Sequence, residues 1–256
     1  MAVLSVNLNK VALVRNSRNG DSPSVVGAAR TVLAAGAHGI TVHPRPDQRH
    51  IRPGDVSDLA ELLSDYPEIE FNIEGNPFAG PRDNGYPGFD ALIESARPQQ
   101  ATLVPDNDNQ LTSDHGWDLS GDNTTLSAAI ARYKKVGARV SLFMDPDAEQ
   151  IARVRDCGAD RIELYTGPFA ATVAVKGLHH DDSRASLACY LEAARYANQT
   201  GLGVNAGHDL DLTNLILFRE ITEVAEVSIG HALITDALEF GLTEAVTRYL
   251  AALSGG

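Results

Sequence analysis

The sequence predicts an α/β protein built as a (β/α)8 TIM barrel. Three observations carry this reading: eight short β-type runs, longer helical patterns between them, and a length of 256 residues that suits one barrel. No linker or low-complexity stretch divides the chain, so residues 1–256 are read as a single domain.

Strand one is placed at Leu4–Leu8, where Val6 and Leu8 alternate with Asn7 and Asn9. Ser22-Pro23 then offers a capping hydroxyl followed by a proline at the first helical position. The helix it opens ends at Gly36, and Gly36-Ala37 leads into strand two, Gly39–His43. There Ile40 and Val42 alternate with Thr41, His43 and then Arg45. Strand three, Glu70–Gly75, sets Phe71 and Ile73 against Glu70, Asn72 and Glu74. Strand four is Ala101–Pro105. Gly137-Ala138 precedes strand five, Arg139–Asp145, and Gly158-Ala159 precedes strand six, Arg161–Gly167. Strand six sets Ile162 and Leu164 against Arg161, Glu163 and Tyr165. Gly201 precedes strand seven, Gly203–His208, with Asn205 opposite Val204; strand eight, Glu226–Gly230, sets Ser228 opposite Val227 and Ile229. The glycines before strands fit left-handed helix C-termini followed by short turns. An open doubly wound sheet is the alternative, but no G-x-G-x-x-G fingerprint follows the first strand.

The apolar set of each strand should face the helices, which leaves the polar set facing the barrel axis. Barrel interiors are normally filled with branched apolar side chains. Buried Asn, Glu and Arg are costly unless they bond one another or water. So many inward polar residues on separate strands point to function and to a polar lumen.

Composition narrows the partners. Hydrophobic residues make up 43% and no apolar run spans a bilayer, so a membrane protein is not expected. The N-terminus lacks a signal layout, and Cys157 and Cys189 alone make no disulfide framework, so a cytoplasmic setting is expected. A net charge of −13 argues against nucleic acid. Residues 1–52 nevertheless carry a local balance of +5, through Lys10, Arg15, Arg18, Arg30, Arg45, Arg49 and Arg52 against Asp21 and Asp47. A basic region on an acidic chain suits a small anionic ligand.

Catalytic residues of such barrels sit at strand C-termini and in the loops that follow. Those positions hold Asn7, Asn9, His43, Arg45, Glu74, Glu163, Thr166, His208 and His231. Histidine exchanges protons near neutral pH, and a neighbouring glutamate can be tuned to complement it. Gly207 and Gly230 end strands seven and eight, where this fold often binds phosphate, and Arg18, Arg45 and His50 are available to neutralise it. No H-x-H or H-E-x-x-H spacing appears, so no metal is predicted. The chemistry expected is acid–base work on small phosphorylated substrates.

At these residues the chain resembles the pyridoxine 5′-phosphate synthases. The matching segments are VNLN (6–9), RNSR (15–18), GITVHPRPDQRHI (39–51), FNIEG (71–75), LVP (103–105), VSLF (140–143), IELYTGP (162–168), VNAGHDL (204–210) and SIGHAL (228–233). They run in order along nearly the whole chain. The resemblance implies condensation of 1-deoxy-D-xylulose 5-phosphate with 3-amino-2-oxopropyl phosphate to pyridoxine 5′-phosphate, phosphate and water, without metal or organic cofactor. It makes His43 and Glu74 the proton acceptors, His208 a donor and Glu163 a stabiliser of the transition state. Asn7, Arg18, Gly230 and His231 would hold the aminoketone phosphate. Arg45, His50 and Thr112 would hold the deoxyxylulose phosphate, with Asn9, Lys10 and Asp209 as further substrate contacts. A homo-oligomer of up to eight copies and extra helices around the barrel are also implied, one of them between Pro168 and Ser183.

The sequence departs from the commoner family pattern at three places. Asn9-Lys10 stands for Asp-His, Asp106-Asn107-Asp108 for an acidic residue followed by two basic ones, and Asp209 for a glycine. With TSDHGWD (112–118), these are read as marks of a subtype. Two rivals differ in kind: a Schiff-base aldolase using Lys10, and a non-catalytic phosphate-ligand sensor. An aldolase would show other neighbours around its lysine, and a sensor would not need His43, Glu74 and His208 together.

Overall fold

In the computed structural model, which describes residues 1–18 and 20–255, eight parallel strands close into a barrel in the order β1 to β8. The strands are β1 (Val3–Asn7), β2 (Gly39–Val42), β3 (Glu70–Gly75), β4 (Gln100–Leu103), β5 (Arg139–Met144), β6 (Arg161–Tyr165), β7 (Gly203–Gly207) and β8 (Val224–Ile229). Closure is made by β1 against β8, in the register Ser5 to Ser228. The predicted fold class and all eight strands stand, with ends moved by one or two residues.

The helices are α1 (Asn9–Asn16), α2 (Val25–Ala34), α3 (Pro53–Leu63), α4 (Phe89–Ala96), α5 (Thr124–Lys135), α6 (Ala148–Val154), α7 (Gly167–Lys176), α8 (Asp181–Gln199), α9 (Leu215–Phe218), α10 (His231–Phe240) and α11 (Leu242–Ser254). Connections carrying two helices supply the extra ones, and the stretch after Pro168 holds α7 and the start of α8. Gly36, Gly137, Gly158 and Gly201 have φ between +83° and +101°, the left-handed turn expected before strands two, five, six and seven. One cap differs from expectation. Helix α2 starts at Val25, and the Ser24 hydroxyl accepts the Gly27 amide at 3.0 Å, so Ser24 caps it and Ser22-Pro23 lies outside. Among the described residues, no helix is long and apolar enough to cross a membrane.

The apolar strand faces build one buried core against the helices, through Val6, Ile40, Phe71, Ile73, Ile162, Leu164, Val204 and Val227. The polar faces point inward, as alternation requires. Midway up the barrel a chain of side chains crosses four strands. Ser5 and Thr41 hydroxyls meet at 2.7 Å, Asn72 Nδ2 donates to Thr41 at 3.4 Å, and Thr102 donates to Asn72 Oδ1 at 3.0 Å. Below it, Arg139 binds Glu70 and Gln100, Arg161 donates to Asn205 at 2.6 Å, and Asn205 contacts Glu226 at 3.5 Å. These ions sit in partnered groups, which is what makes burial of their charge tolerable. The interior that results presents charge and hydrogen-bonding groups upward to the strand ends.

Candidate active site

The strand C-termini open onto a cavity of about 380 Å³. Chain alternation and the turns just after the strands bring its walls together. Asn7 comes from β1, Asn9 and Lys10 from the first turn of α1, His43, Arg45 and His50 from the loop after β2, and Glu74 from β3. Thr112 comes from the loop after β4, Glu163 from β6, His208 and Asp209 from the end of β7, and Gly230 and His231 from the start of α10. Every sequence-predicted site residue therefore lines the cavity except Arg18, which is exposed in the turn after α1.

On one wall, Asn7 Nδ2 donates to Glu74 Oε2 at 3.3 Å, and the same carboxylate oxygen stands 3.8 Å from His43 Nδ1. Asn9 fixes the approach of both strands. Its amide donates to Asn7 Oδ1 at 2.9 Å, and its own Oδ1 accepts the His43 amide at 2.8 Å. A neutral Asn at position 9 thus braces the His43 backbone. The His43 and His50 rings meet edge-on at 6.2 Å, and His50 Nδ1 accepts the Ile51 amide at 2.9 Å. The proton of neutral His50 therefore sits on Nε2.

The opposite wall carries Glu163 and His208. Glu163 is buried, and its Oε2 has no hydrogen-bond partner among the described residues. A Cβ on Gly207 would collide with Glu163 Oε1, so glycine there makes room for the carboxylate. His208 (φ +77°) and Asp209 (φ +57°) both lie in the left-handed region, which costs roughly 1–3 kcal/mol per residue. Thr166 Oγ1 donates to the Gly207 and His208 carbonyls, and Asn214 Nδ2 donates to the Asp209 carbonyl at 2.9 Å. The His208 ring packs against Phe143 at 5.0 Å and Tyr165 at 5.6 Å. Thr166, expected from its strand-end position to face a ligand, is instead a buried brace for this bend.

The electrostatics separate the groups into acceptors and donors. Burial pushes His43 well below the usual histidine range, helped by Arg45, His50 and His208. Burial likewise brings His50 to about 3, helped by Arg45 and Lys10. His208 falls to about 4, chiefly by burial, with Asp209 opposing. All three imidazoles are neutral at pH 7 in the empty site. The carboxyls go the other way. Burial and then the Asp106 charge raise Glu74 to about 7, against the pull of Arg45 and the Asn7 hydrogen bond. Burial, followed by Glu74 and Glu226, raises Glu163 well above its ordinary value. Opposed shifts of this kind mark acid–base sites.

Some functional geometry lay beyond the sequence reading. Arg15, one of the counted cations, is buried in a paired contact with Asp55 and serves the scaffold. Asp106, read as lost positive charge, is the buried partner of Arg45. Arg49, Ser113 and Ser228 also line the cavity. The inward alternation pointed to Ser228, and the basic run from 45 to 52 pointed to Arg49; no periodic signal marks Ser113 or Asp106.

The family model described as pyridoxal phosphate biosynthesis protein PdxJ matches residues 4–255. The chain belongs to this family. It is 56% identical over 254 residues to the pyridoxine 5′-phosphate synthase of Xanthomonas campestris pv. campestris (strain B100), covering 99% of this chain and 96% of that one. It is 51% identical over 259 residues to the pyridoxine 5′-phosphate synthase of Brucella abortus (strain S19), covering 99% of each. Among solved structures, 3-hexulose-6-phosphate synthase from Salmonella typhimurium is similar with a TM-score of 0.61 at 15% identity, over 98% of this chain and 99% of that one. The alpha chain of tryptophan synthase from M. tuberculosis is similar with a TM-score of 0.62 at 12% identity, over 98% and 93%. Those two likenesses show the barrel alone. Membership of the PdxJ family fits the wall of neutral histidines and raised glutamates around one cavity.

Proposed function

We propose that this PdxJ-family chain is a pyridoxine 5′-phosphate synthase. It would condense 1-deoxy-D-xylulose 5-phosphate with 3-amino-2-oxopropyl phosphate, releasing one phosphate and two waters per ring. The observation that carries the reading is the convergence of His43, Glu74, Glu163 and His208 on one cavity that also holds Arg45, His50 and Lys10.

The chemistry follows from their protonation. The amine of one substrate attacks the ketone of the other and loses water as an imine. Conversion to the enamine needs a proton taken from carbon, and neutral His43 or ionised Glu74 can accept it. Loss of phosphate, closure onto the second carbonyl and the final loss of water each need a proton delivered to a departing oxygen. Protonated Glu163 is a donor in the empty site. Neutral His208 becomes a donor once the substrates bring in phosphate charge, because nearby anions raise a histidine's proton affinity. Each well-placed acid or base contributes about 10²–10⁴ in rate.

Arg45, His50 and Thr112 would hold one phosphate, with Asn9, Lys10 and Asp209 touching the same substrate. Asn7, Gly230 and His231 would hold the other at the N-terminus of α10, where backbone amides favour an anion. Arg18 completes that second site only if its turn reaches the cavity. The setting is a cytoplasmic homo-oligomer that uses no metal or organic cofactor and binds neither nucleic acid nor membrane.

The decisive experiment mixes the pure, metal-free protein with both substrates and measures pyridoxine 5′-phosphate and inorganic phosphate. Equal amounts of the two establish the function; folded protein that makes neither removes it.

A further inference from the structure

Arg45 does not wait for an anion with an open guanidinium. Its Nη2 is paired with Asp106 Oδ2, and its Nη1 donates to the Gln110 carbonyl at 3.3 Å. Both side chains are buried, Arg45 at 4% exposure and Asp106 at 6%. The carboxylate is itself seated: Ser113 Oγ donates to the same Oδ2 at 2.7 Å, and Asn76 Nδ2 donates to the Asp106 carbonyl at 2.7 Å. Asp106 Oδ1, also buried, has no hydrogen-bond partner among the described residues.

The pair has a particular place. Arg45 lines the catalytic cavity and also a second cavity of about 250 Å³, in whose wall Asp106 stands with Asn76 and Tyr86. It is a charged partition between the two. The guanidinium fork matches carboxylate and phosphate in the same geometry, so the two compete for it. A carboxylate here has the charge and reach of part of a phosphate.

We propose that Asp106 is a positioning residue acting through Arg45, a built-in counter-anion that holds the guanidinium in the empty site and gives it up to the incoming substrate phosphate. The inference rests on the reading of Arg45 as a phosphate anchor. It makes Asp106 a determinant of anion choice. A singly charged carboxylate offers Arg45 no more than Asp106 already does, whereas a phosphate dianion offers more charge and more acceptors. Exchange would also free Asp106 and loosen the segment 106–113, which Arg49 still ties by donating to the Gln110 and Leu111 carbonyls at 2.9 and 3.1 Å.

The test is calorimetric titration of the whole protein with inorganic phosphate. A carboxylate that only supports the loop and one that competes for Arg45 predict opposite signs. With competition, Asp106→Asn binds phosphate more tightly, by about fivefold or more, since a like charge has left the site. The gain disappears when Arg45→Ala is added. Binding that is unchanged or weaker in Asp106→Asn, or a gain that survives Arg45→Ala, overturns the proposal. A second measurement needs no variant: the Asp106 carboxyl carbon resonance of the wild-type protein should move with the same midpoint as phosphate binding, and a resonance that stays fixed is contrary. Neither readout requires turnover. A protein that shows the exchange yet forms no product ends the functional reading and leaves this one standing.

Discussion

The Nδ1 of His43 stands 3.8 Å from the Glu74 oxygen that Asn7 holds at 3.3 Å. That separation is too long for a hydrogen bond, so the two groups keep separate protons and can act in turn. Burial drives them apart in proton affinity, His43 down and Glu74 up to about 7. If ionised Glu74 is the required base, kcat/KM rises about tenfold per pH unit below 7 and levels off above it. A profile of kcat/KM between pH 5 and 9 checks this, and a rate flat from pH 5 to 7 would exclude Glu74 as that base.

Replacing each partner separately distinguishes chemistry from binding. His43→Asn and Glu74→Gln should each lower kcat by about 10²–10⁴, the range for one lost acid or base. Substrate affinity should stay within about tenfold, or roughly 1.4 kcal/mol. Steady-state rates paired with calorimetric binding of each substrate decide it. Full activity in both variants would remove this pair from the mechanism, and the sensor reading would regain ground.

Much of this wall was legible because its cause is local. Two-residue alternation placed Glu74 and Glu163 inward, and the glycines at 36, 137, 158 and 201 fixed where strands begin. The cap of α2 was misplaced because Ser22-Pro23-Ser24 offers two hydroxyls, and only the fold shows which one reaches the Gly27 amide. Pairings across long separations were not legible. Arg15 finds Asp55 40 residues away and Arg45 finds Asp106 61 residues away, and nothing in either local sequence names its partner. The inward charges Glu70, Arg139 and Glu226 were readable as residues on a face, but not as one bonded group at the lower end of the barrel.

His50 should make the protein sensitive to acid. Its folded pKa, about 3, lies below the unfolded value near 6.5. Between those values the unfolded chain binds more protons, so stability is present above pH 6.5 and is lost as pH falls toward 3. His50→Asn removes that dependence while keeping a small acceptor near the Ile51 amide. The fall in Tm between pH 7 and 4 should shrink by roughly 4 °C or more, taking about 2–4 °C per kcal/mol for a chain of this size. Melting curves across that range test it; an equal fall in both proteins would mean His50 does not carry the effect.

Gly207→Ala probes Glu163 without touching it. The new methyl would meet Glu163 Oε1 and lie 3.4 Å from the Ser228 carbonyl oxygen, so the buried carboxylate has to move. Overpacking of this kind costs about 1–3 kcal/mol. If Glu163 serves the reaction, kcat should fall by at least about tenfold, because a misplacement near 1 Å can cost about 10². Comparing kcat with Tm separates the effects: a stability loss with unchanged kcat would show that Glu163 does not need its position.

Lys10 decides between the proposed synthase and an aldolase. It lies in the first turn of α1 and lines the cavity, and its charge helps to lower both His50 and His208. In the synthase reading the imine forms between the two substrates, and Lys10 contributes only charge beside a phosphate. Borohydride added during turnover should then leave no substrate-derived mass on Lys10. Lys10→Gln should raise KM for the deoxyxylulose phosphate by about tenfold, the size of one charged contact, while kcat changes little. An aldolase requires the reverse, with a reduced adduct on Lys10 and no turnover without its amine. Peptide mass analysis after trapping, read beside the kinetics of Lys10→Gln, separates the two, and an adduct on that lysine would refute the synthase mechanism whatever the product.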